Sequence, residues 1–241
     1  MLVQIVKGMG AVVLAGAVLS GCGSHLTVSK DSLQSDISDR LTKAGQQPQS
    51  VTCKDDLIGE VGRSARCEIV LSPQNTFESV VTVTGVAGSV VNYDMKPALS
   101  KEQLQASVSR LVEKSTGEPV NSVDCESGLE GDSGAEAFCW VDTGGAKLRR
   151  TVELKNVTGL LLSYDLVPLL TKAQVEAQLL DQLQQQLGQR PDSAACTDTL
   201  EGKVGTSVDC VVVTGGEAKT YVVTVTSVED SKITFSSAPK T

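Results

Sequence analysis

The sequence repeats one spacing of cysteine, leucine and glycine three times. The pattern C-x3-L-x-G-x2-G-x4-C has its first cysteines 72 and then 71 residues apart. Five identities at fixed offsets in three places indicate a small module in tandem copies, which overrides the one or two domains that a length of 241 residues suggests. The expected segments are a leader at 1–21, a tether at 22–28 and modules at 29–97, 98–168 and 169–241.

The first residues predict export and lipid anchoring. Lys7 precedes an apolar run at 11–19, which is too short to span a membrane and ends in small residues, as a secretory signal does. The segment then ends in Leu-Ser-Gly-Cys and resembles a bacterial lipobox, which implies a diacylglyceryl group on the thiol of Cys22. The alternative is an ordinary signal peptide followed by an incidental cysteine, but Cys22 has no counterpart in the repeats. Since two acyl chains hold a protein stably on a bilayer, we expect an extracytoplasmic chain on the outer face of the cell membrane.

The composition limits the partners. A formal net charge of −8 argues against nucleic acid and against a basic membrane-binding patch. Aromatic residues make up 3% of the chain, which disfavours a groove where sugars stack. The expected partners are therefore the membrane, through the lipid anchor, and an envelope protein. His25, the only histidine, lies in the tether and has no partner residues for catalysis.

Each module is predicted to open with a helix and continue as a sheet. Ser100 with Gln103, and Thr171 with Gln174, form capping boxes ahead of apolar residues at helical spacing. The segments after each helix alternate apolar and polar residues, with turns between them, as antiparallel strands do. We therefore predict an α+β fold of three tandem modules, each with one helix packed on a four-stranded antiparallel sheet and one intra-module disulfide.

The six repeated cysteines predict three structural disulfides. Because a duplicated module carries its own bond, one of fifteen connectivities is favoured: Cys53 with Cys67, Cys125 with Cys139, and Cys196 with Cys210. Zinc sites need closely spaced ligand pairs and redox pairs are usually C-x-x-C, and neither spacing occurs here. The two glycines of each loop could also cradle a phosphate, but the loops share no basic residue, so tight turning is the favoured reason for them.

Candidate binding residues cluster in the second module. Its loop is acidic, with Glu126, Glu130, Asp132 and Glu136, and Trp140, the only tryptophan, follows Cys139 on the opposite face of a strand. A calcium site is one interpretation, but the alternating ligands of a calcium loop are missing, so a solvated acidic patch is favoured. Trp140 is interpreted as packing between modules rather than as a binding anchor. No cofactor or metal is expected, and no catalytic constellation is visible, so an enzyme is not expected.

The lipobox, the helices and the repeated cysteine loops followed by valine-rich strands together resemble a family of secreted actinobacterial (mycobacterial-type) lipoproteins built from a disulfide-bonded domain of unknown function (DUF family 4333). The resemblance covers nearly all of the chain after the leader and implies lipidation at Cys22 and one disulfide per module. It carries over no catalytic residue. The second loop departs from the other two, with Ser133 where they have Val61 and Val204, and we expect this change to loosen the loop or alter its packing. Tandem β-lactamase-inhibitor modules are similar in architecture only.

These features predict a lipid-anchored envelope protein whose modules serve as non-catalytic binding or spacer units. The alternative from another class is a protein inhibitor of an extracytoplasmic enzyme, such as a peptidase or a penicillin-interacting enzyme, with the loop at 126–136 entering the active site. A third interpretation is a lipid or glycan carried on the sheet faces.

Overall fold

The computed structural model describes residues 26–145 and 147–240. The leader, Cys22 and His25 lie outside the described residues, so the expectation of lipidation stays a prediction. The helices are α1 (Lys30–Lys43), α2 (Lys101–Thr116) and α3 (Lys172–Leu187).

Seventeen strands surround these helices in the described residues. Those of the first module are β1 (Thr27–Val28), β2 (Ser50–Cys53), β3 (Leu57–Ile58), β4 (Ser64–Ser72), β5 (Asn75–Ala87) and β6 (Val90–Leu99). Those of the second are β7 (Ser122–Cys125), β8 (Leu129–Glu130), β9 (Glu136–Asp142), β10 (Lys147–Thr158) and β11 (Leu161–Leu166). Those of the third are β12 (Leu169–Leu170), β13 (Ser193–Cys196), β14 (Leu200–Glu201), β15 (Ser207–Thr214), β16 (Glu217–Glu229) and β17 (Lys232–Pro239).

The helices begin where the sequence predicts. In α2 and α3 the Ser100 and Thr171 side chains accept hydrogen bonds from the third helical N–H, and a glutamine side chain returns the bond, so both capping boxes are present. Ser29 caps α1 with a side-chain bond to the backbone N–H of Ser32. Both α2 and α3 end at a left-handed glycine, Gly117 and Gly188, as helices commonly do.

The sheets are antiparallel meanders. The third module has the order β13-β15-β16-β17 and the second has β11-β10-β9-β7. The first module has the same four strands, β2-β4-β5-β6, and β8 of the second module adds a fifth at its edge. The short strands β1 with β3, and β12 with β14, form separate two-stranded ladders.

The α+β class, the antiparallel strands, the three repeats and the three disulfides are confirmed. The prediction of a four-stranded sheet in each module fits only in part. It missed the two-residue strands, because a strand of two residues has too few positions to show an alternating pattern.

Each helix buries one apolar stripe on its sheet. In α3 this stripe is Val175, Leu179 and Leu183, at most 2% exposed. It forms one core with buried strand residues of the third module, including Cys210. The disulfides join cysteines directly opposite each other on neighbouring strands, with Cα atoms 3.8 to 3.9 Å apart. Each bond therefore lies in the sheet against the helix, as a staple of the module core.

The chain divides into two compact units. The first consists of the described part of Met1–Lys147 together with Glu153–Tyr164, and so holds the first module and most of the second. The other consists of Leu148–Val152 and the chain from Asp165 onward, and so holds the third module with a short piece of β10.

Candidate functional site

The first half of every cysteine loop lies against the strand that precedes the helix of its own module. The invariant leucine of each loop is at most 1% exposed and is paired with an apolar residue of that strand. The pairs are Leu57 with Val28, Leu129 with Leu99, and Leu200 with Leu170. We call this contact the loop dock.

The strand that receives the loop has two different origins. In the first module it is the separate strand β1. In the second it is the end of β6, whose earlier residues belong to the sheet of the first module through pairing with β5. The Cα partner of Ala98 is therefore Glu78 on one side and Glu130 on the other. One continuous strand thus completes two modules.

The first glycine of each loop allows a close approach at the dock. A Cβ atom on Gly131 would lie 2.5 Å from the carbonyl oxygen of Pro97, and one on Gly59 would lie 2.8 Å from the carbonyl oxygen of Leu26. On Gly202 it would meet the side chain of Ile233 at 2.9 Å. Real Cβ contacts are longer than this. A side chain on Gly59 or Gly131 would therefore displace the loop from its strand, whereas one on Gly202 would press on the flexible end of the Ile233 side chain.

The second glycine of each loop has a different reason. Gly62, Gly134 and Gly205 have φ angles of 87°, 77° and 90°, with no atom within 4 Å of an added Cβ. Positive φ is strained for residues with a side chain. The prediction of tight turning is therefore right for the second glycine and wrong for the first, where close packing is the cause.

A helix side chain holds the first cysteine of every module. The backbone N–H groups of the three first cysteines donate to side-chain oxygens of equivalent residues on the helices. The pairs are Cys53 with Gln34 at 3.0 Å, Cys125 with Gln105 at 3.4 Å, and Cys196 with Glu176 at 2.9 Å. These residues were not predicted from the sequence, although a long acceptor side chain recurs every 71 residues.

In the first and second modules, a tyrosine on the last strand of the sheet forms a hydrogen bond with the helix. The Tyr93 hydroxyl donates to an Asp36 carboxylate oxygen at 3.1 Å, and the Tyr164 hydroxyl donates to the Ser107 Oγ at 2.9 Å. Burial, together with the charge of Asp36, raises the pKa of Tyr93 to about 12. The third module has Phe235 at this place, partly buried against its core.

Acidic residues of the second loop form ion pairs with the first module. The Arg66 guanidinium binds Glu130 of the loop and, at 2.9 Å, Glu78 of β5. Lys96 of β6 binds Asp132. The hydrogen bond that Arg66 donates to Glu130 raises the pKa of Arg66, and the one that Lys96 donates to Asp132 raises the pKa of Lys96. These two loop carboxylates are thus bound at the joint between the first two modules.

Within the second compact unit, the carboxylate of the third loop accepts a hydrogen bond from a hydroxyl group instead of forming an ion pair. Glu201 of β14 accepts a hydrogen bond from the Thr151 hydroxyl. Arg150 donates to the carbonyl oxygen of Val167 at 3.2 Å, while its Nε is buried without a partner in the described residues. Burial lowers the pKa of Arg150, and the nearby Glu201 carboxylate opposes that shift.

The other candidate residues of the second module are exposed. Trp140 is opposite Asp124 on β7 and 40% exposed, whereas Cys139 beside it is fully buried. Glu126 follows β7, its backbone N–H bonded to the carbonyl of Phe138, and Glu136 begins β9; both are exposed. Asp124 forms an ion pair with Lys101 at 2.9 Å, and this contact lowers the pKa of Asp124. The structure therefore separates Trp140 from Glu130 and Asp132, which bind the first module.

The expected loosening of the second loop is not supported. Val61 and Val204, which occupy the position of Ser133 in the other loops, are each 71% exposed. A side chain so exposed contributes little to packing, so its replacement by serine removes no core contact. The tip of the loop points into solvent, so the exposure gives no packing reason for the loop to loosen.

Two further properties concern the described residues only. In residues 26–145 and 147–240, no group of three or more histidine, cysteine, aspartate or glutamate side chains is arranged to hold a metal ion. Over the same ranges, no helix has the length and apolar character needed to cross a membrane.

Comparison with known proteins gives one family. The family model described as "Domain of unknown function (DUF4333)" matches the chain three times, at residues 12–88, 81–159 and 161–230. No curated protein and no solved structure matches the chain.

Proposed function

This chain belongs to the DUF4333 family of domains of unknown function, and from that premise we propose that it is a lipid-anchored, extracytoplasmic envelope protein of actinobacterial type. Its modules act as a non-catalytic spacer that holds a binding surface at a fixed distance from the membrane. Cys22 is the attachment point of the lipid. Each module in this proposal is one helix on a four-stranded sheet, completed by its loop dock.

The observation that carries the proposal is the strand shared by the first two modules. A spacer transmits a distance only if its units do not swing freely about their linkers. Because β6 pairs with β5 in one module and with β8 in the next, no flexible linker separates the two. The ion pairs Arg66–Glu130 and Lys96–Asp132 cross the same joint. A direct strand connection of this kind favours a stiff pair of modules over beads on a string.

The proposed location agrees with how the modules are stabilised. Each module is small and carries a disulfide inside its core, and such bonds persist in oxidising compartments outside the cytoplasm. A lipid on Cys22 places the first module immediately above the bilayer, since α1 begins at Lys30.

The inhibitor function receives less support from the geometry. An inhibitory loop must leave its own protein and enter an active site. In the loop at 126–136, Leu129 is buried at the dock, and Glu130 and Asp132 bind the first module. We therefore prefer the spacer to the inhibitor.

Spin labels placed at equivalent exposed helix positions test the stiffness of the joint. Ser35 on α1 and Ala106 on α2 are 71 residues apart in sequence and both exposed. Unnatural amino acids at these sites accept labels without touching the disulfides. Electron–electron double resonance on the full chain should give one narrow distance distribution between the labels. A broad distribution would show that the modules swing, and the spacer proposal would then fail.

Anchoring has its own test. The native chain expressed in a bacterial host should sediment with membranes and carry a diacylglyceryl mass on the peptide that begins at Cys22. The Cys22→Ala variant should lose that mass and appear in the soluble extracytoplasmic fraction. Recovery of an unmodified Cys22 peptide from the wild type would refute the anchor while leaving the stiffness of the joint untouched.

A further inference from the structure

A groove of about 390 Å³ lies between helix α2 and strand β11 of the second module. The helix lines it with Ser107, Arg110, Leu111 and Lys114, and the strand lines it with Leu162, Ser163 and Tyr164. At its floor, the Ser107 Oγ accepts hydrogen bonds from Tyr164 and, at 3.0 Å, from Arg110. The bond from Tyr164 joins the strand to the helix, so the two walls of the groove are held together, and the bond from Arg110 lies within the helix.

Two cationic side chains, Arg110 and Lys114, line this groove. In the part of the chain that the structure describes, Arg110 bonds only to Ser107, and Lys114 forms no ion pair. Both are exposed, and they lie one helical turn apart on the same face of α2. In a chain of net charge −8, two adjacent unpaired cations at a concave site favour an anionic ligand.

The equivalent positions of the other modules lack this arrangement. The first module has Asp39 and Lys43, and the third has Asp181 and Gln185. Asp181 moreover binds Arg190. The strand wall differs as well, because Ile233, the counterpart of Leu162, is buried against Gly202. Leu162 is only half-buried and lines the groove instead. The cationic groove is therefore a property of the second module and not of the repeat.

The strand wall of the groove is an edge of its sheet. Strand β11 is the terminal strand in the order β11-β10-β9-β7, so one row of its backbone N–H and C=O groups has no strand partner in the described residues. A groove between a helix and an edge strand accepts an extended peptide, which adds to the sheet and directs alternate side chains at the helix. The chain already uses this mode of contact, since β8 adds to the edge of β6.

The spacing of the two cations fits an extended peptide with acidic side chains at alternate positions. Side chains two residues apart on a strand are separated by roughly 6.6 Å along its axis. Residues four apart on a helix, as Arg110 and Lys114 are, rise by about 6 Å. Two carboxylates at i and i+2 can therefore each meet one cation, while the peptide backbone bonds to β11.

We propose that the groove between α2 and β11 binds an extended acidic peptide segment of a partner protein, which adds as a further strand to the sheet of the second module. Arg110 and Lys114 bind two alternate carboxylates of the peptide, and Leu111 and Leu162 contact its apolar atoms. This inference rests on the proposed function, because it supplies the binding surface that the spacer presents.

A labelled peptide tests the proposal on the full chain in detergent. The probe is a fluorescein-labelled hexapeptide that alternates glutamate and threonine, and fluorescence anisotropy measures its binding. Saturable binding is expected to weaken roughly fivefold with Lys114→Glu and by a similar factor with Arg110→Gln, since each variant loses one partly exposed ion pair. Circular dichroism of both variants checks that the fold is retained.

Matched controls separate the groove from general charge effects. Lys43→Glu makes the same charge change at the equivalent position of the first module and should leave binding unchanged. A peptide with three consecutive glutamates followed by three threonines has the same charge but the wrong spacing, and it should bind several-fold more weakly. A probe N-methylated at every backbone amide has no N–H group to donate to β11 and should also bind weakly.

Four results would overturn the proposal. Equal binding of the N-methylated peptide would exclude strand addition, and equal binding of the consecutive peptide would exclude the alternate spacing of carboxylates. An equal loss with Lys43→Glu would reduce the effect to net charge. If short-chain phosphatidylglycerol bound at Lys114 and the peptide did not bind, the ligand of the groove would be a lipid headgroup and not a peptide. Each result leaves the distance between the spin labels on α1 and α2 unaffected, so failure of this inference is distinguishable from failure of the spacer.

Discussion

The two halves of the cysteine loop both carry a glycine that is repeated in all three modules, but one half is packed against a strand and the other is exposed to solvent. In the docked half, Leu129 is buried and Gly131 lies close against the strand that precedes the helix. The tip, represented by Ser133 and Gly134, points into solvent, and an added Cβ on Gly134 meets nothing within 4 Å. Glycine is repeated in both halves, but packing requires it in one and backbone conformation in the other.

This difference shows how the modules are connected. The docked half reaches beyond its own sheet, so a module is complete only when a short strand lies before its helix. In the second module the preceding module supplies that strand as the end of β6. The tip contributes to no such contact. Substitutions in the docked half should therefore affect the joint, whereas those in the tip should affect only the loop.

The largest loss of stability is expected when the disulfide that closes the whole loop is removed. The double variant Cys125→Ala/Cys139→Ala opens a bond with a sequence separation of 14, for which loop entropy predicts a loss of about 3 kcal/mol in the free energy of unfolding. Trp140, the only tryptophan and the neighbour of Cys139, reports unfolding of the second module by fluorescence in a urea titration. A loss below about 1 kcal/mol would mean that the dock alone holds the loop.

A substitution in the docked half should have the next largest effect. In Gly131→Ala the new methyl group would lie 2.5 Å from the backbone oxygen of Pro97, which cannot rotate away. Overpacking of this kind typically costs about 2 kcal/mol, measured by the same Trp140 fluorescence. Gly145→Ala is the matched control, because an added Cβ there meets nothing within 4 Å and the φ angle is not positive. A control that loses as much stability as Gly131→Ala would contradict the close approach.

The tip glycine should give a smaller loss. Gly134→Ala places a side chain at φ 77° with free space around it, so only the strain of the left-handed conformation acts, about 1 kcal/mol. Unlike Gly131→Ala, this variant should leave the narrow distance between labels at Ser35 and Ala106 unchanged. If it broadened that distance, the tip would belong to the joint and the comparison of the two halves would fail.

The features that could be predicted from the sequence are those with a local pattern. The capping boxes at Ser100 and Thr171, and the alternation of the long strands, are encoded within a few residues and are confirmed. The loop dock could not be predicted, because it joins segments about 30 residues apart through a pairing of only two residues on each strand. Its one sequence signal is the leucine that all three loops share. The reason for that leucine is its apolar partner on the docking strand, which is known only once the pairing is seen.

The candidate site shows the same limit. A count of acidic residues grouped Glu126, Glu130, Asp132 and Glu136 into one patch, but counting cannot tell which carboxylates meet a cation. Arg66 lies 64 residues before Glu130, and Lys96 lies 36 before Asp132. Likewise, Gln34, Gln105 and Glu176 drew no attention, because polar helix residues are common and their shared partner, a cysteine N–H, is visible only in three dimensions.

The ion pair between Arg66 and Glu130 should contribute less to the stability of the second module than Gly131 or Gly134 does. Glu130→Gln removes the charge that Arg66 binds, while Arg66 keeps Glu78 as a partner. Partly exposed ion pairs contribute about 0.5 kcal/mol, and salt screens them. The loss of stability should therefore be measurable by urea titration at low ionic strength and shrink in 1 M salt. A loss that does not depend on salt would indicate that Glu130 acts through packing at the dock.

The smallest effect is expected at the tip, where Ser133→Val restores the residue type of the other two loops. If the valine packed the loop, as its presence in two of three copies suggested, this variant would stabilise the second module. Val61 and Val204 are 71% exposed, so the new side chain should remain in solvent and change the free energy of unfolding by less than about 0.5 kcal/mol. The same urea titration decides between these outcomes. A clear gain in stability would place the tip in a packed environment and remove the distinction between the two halves, because both would then be held by contacts. An unchanged value together with a destabilised Gly131→Ala would confine the packing of the loop to the half that meets β6.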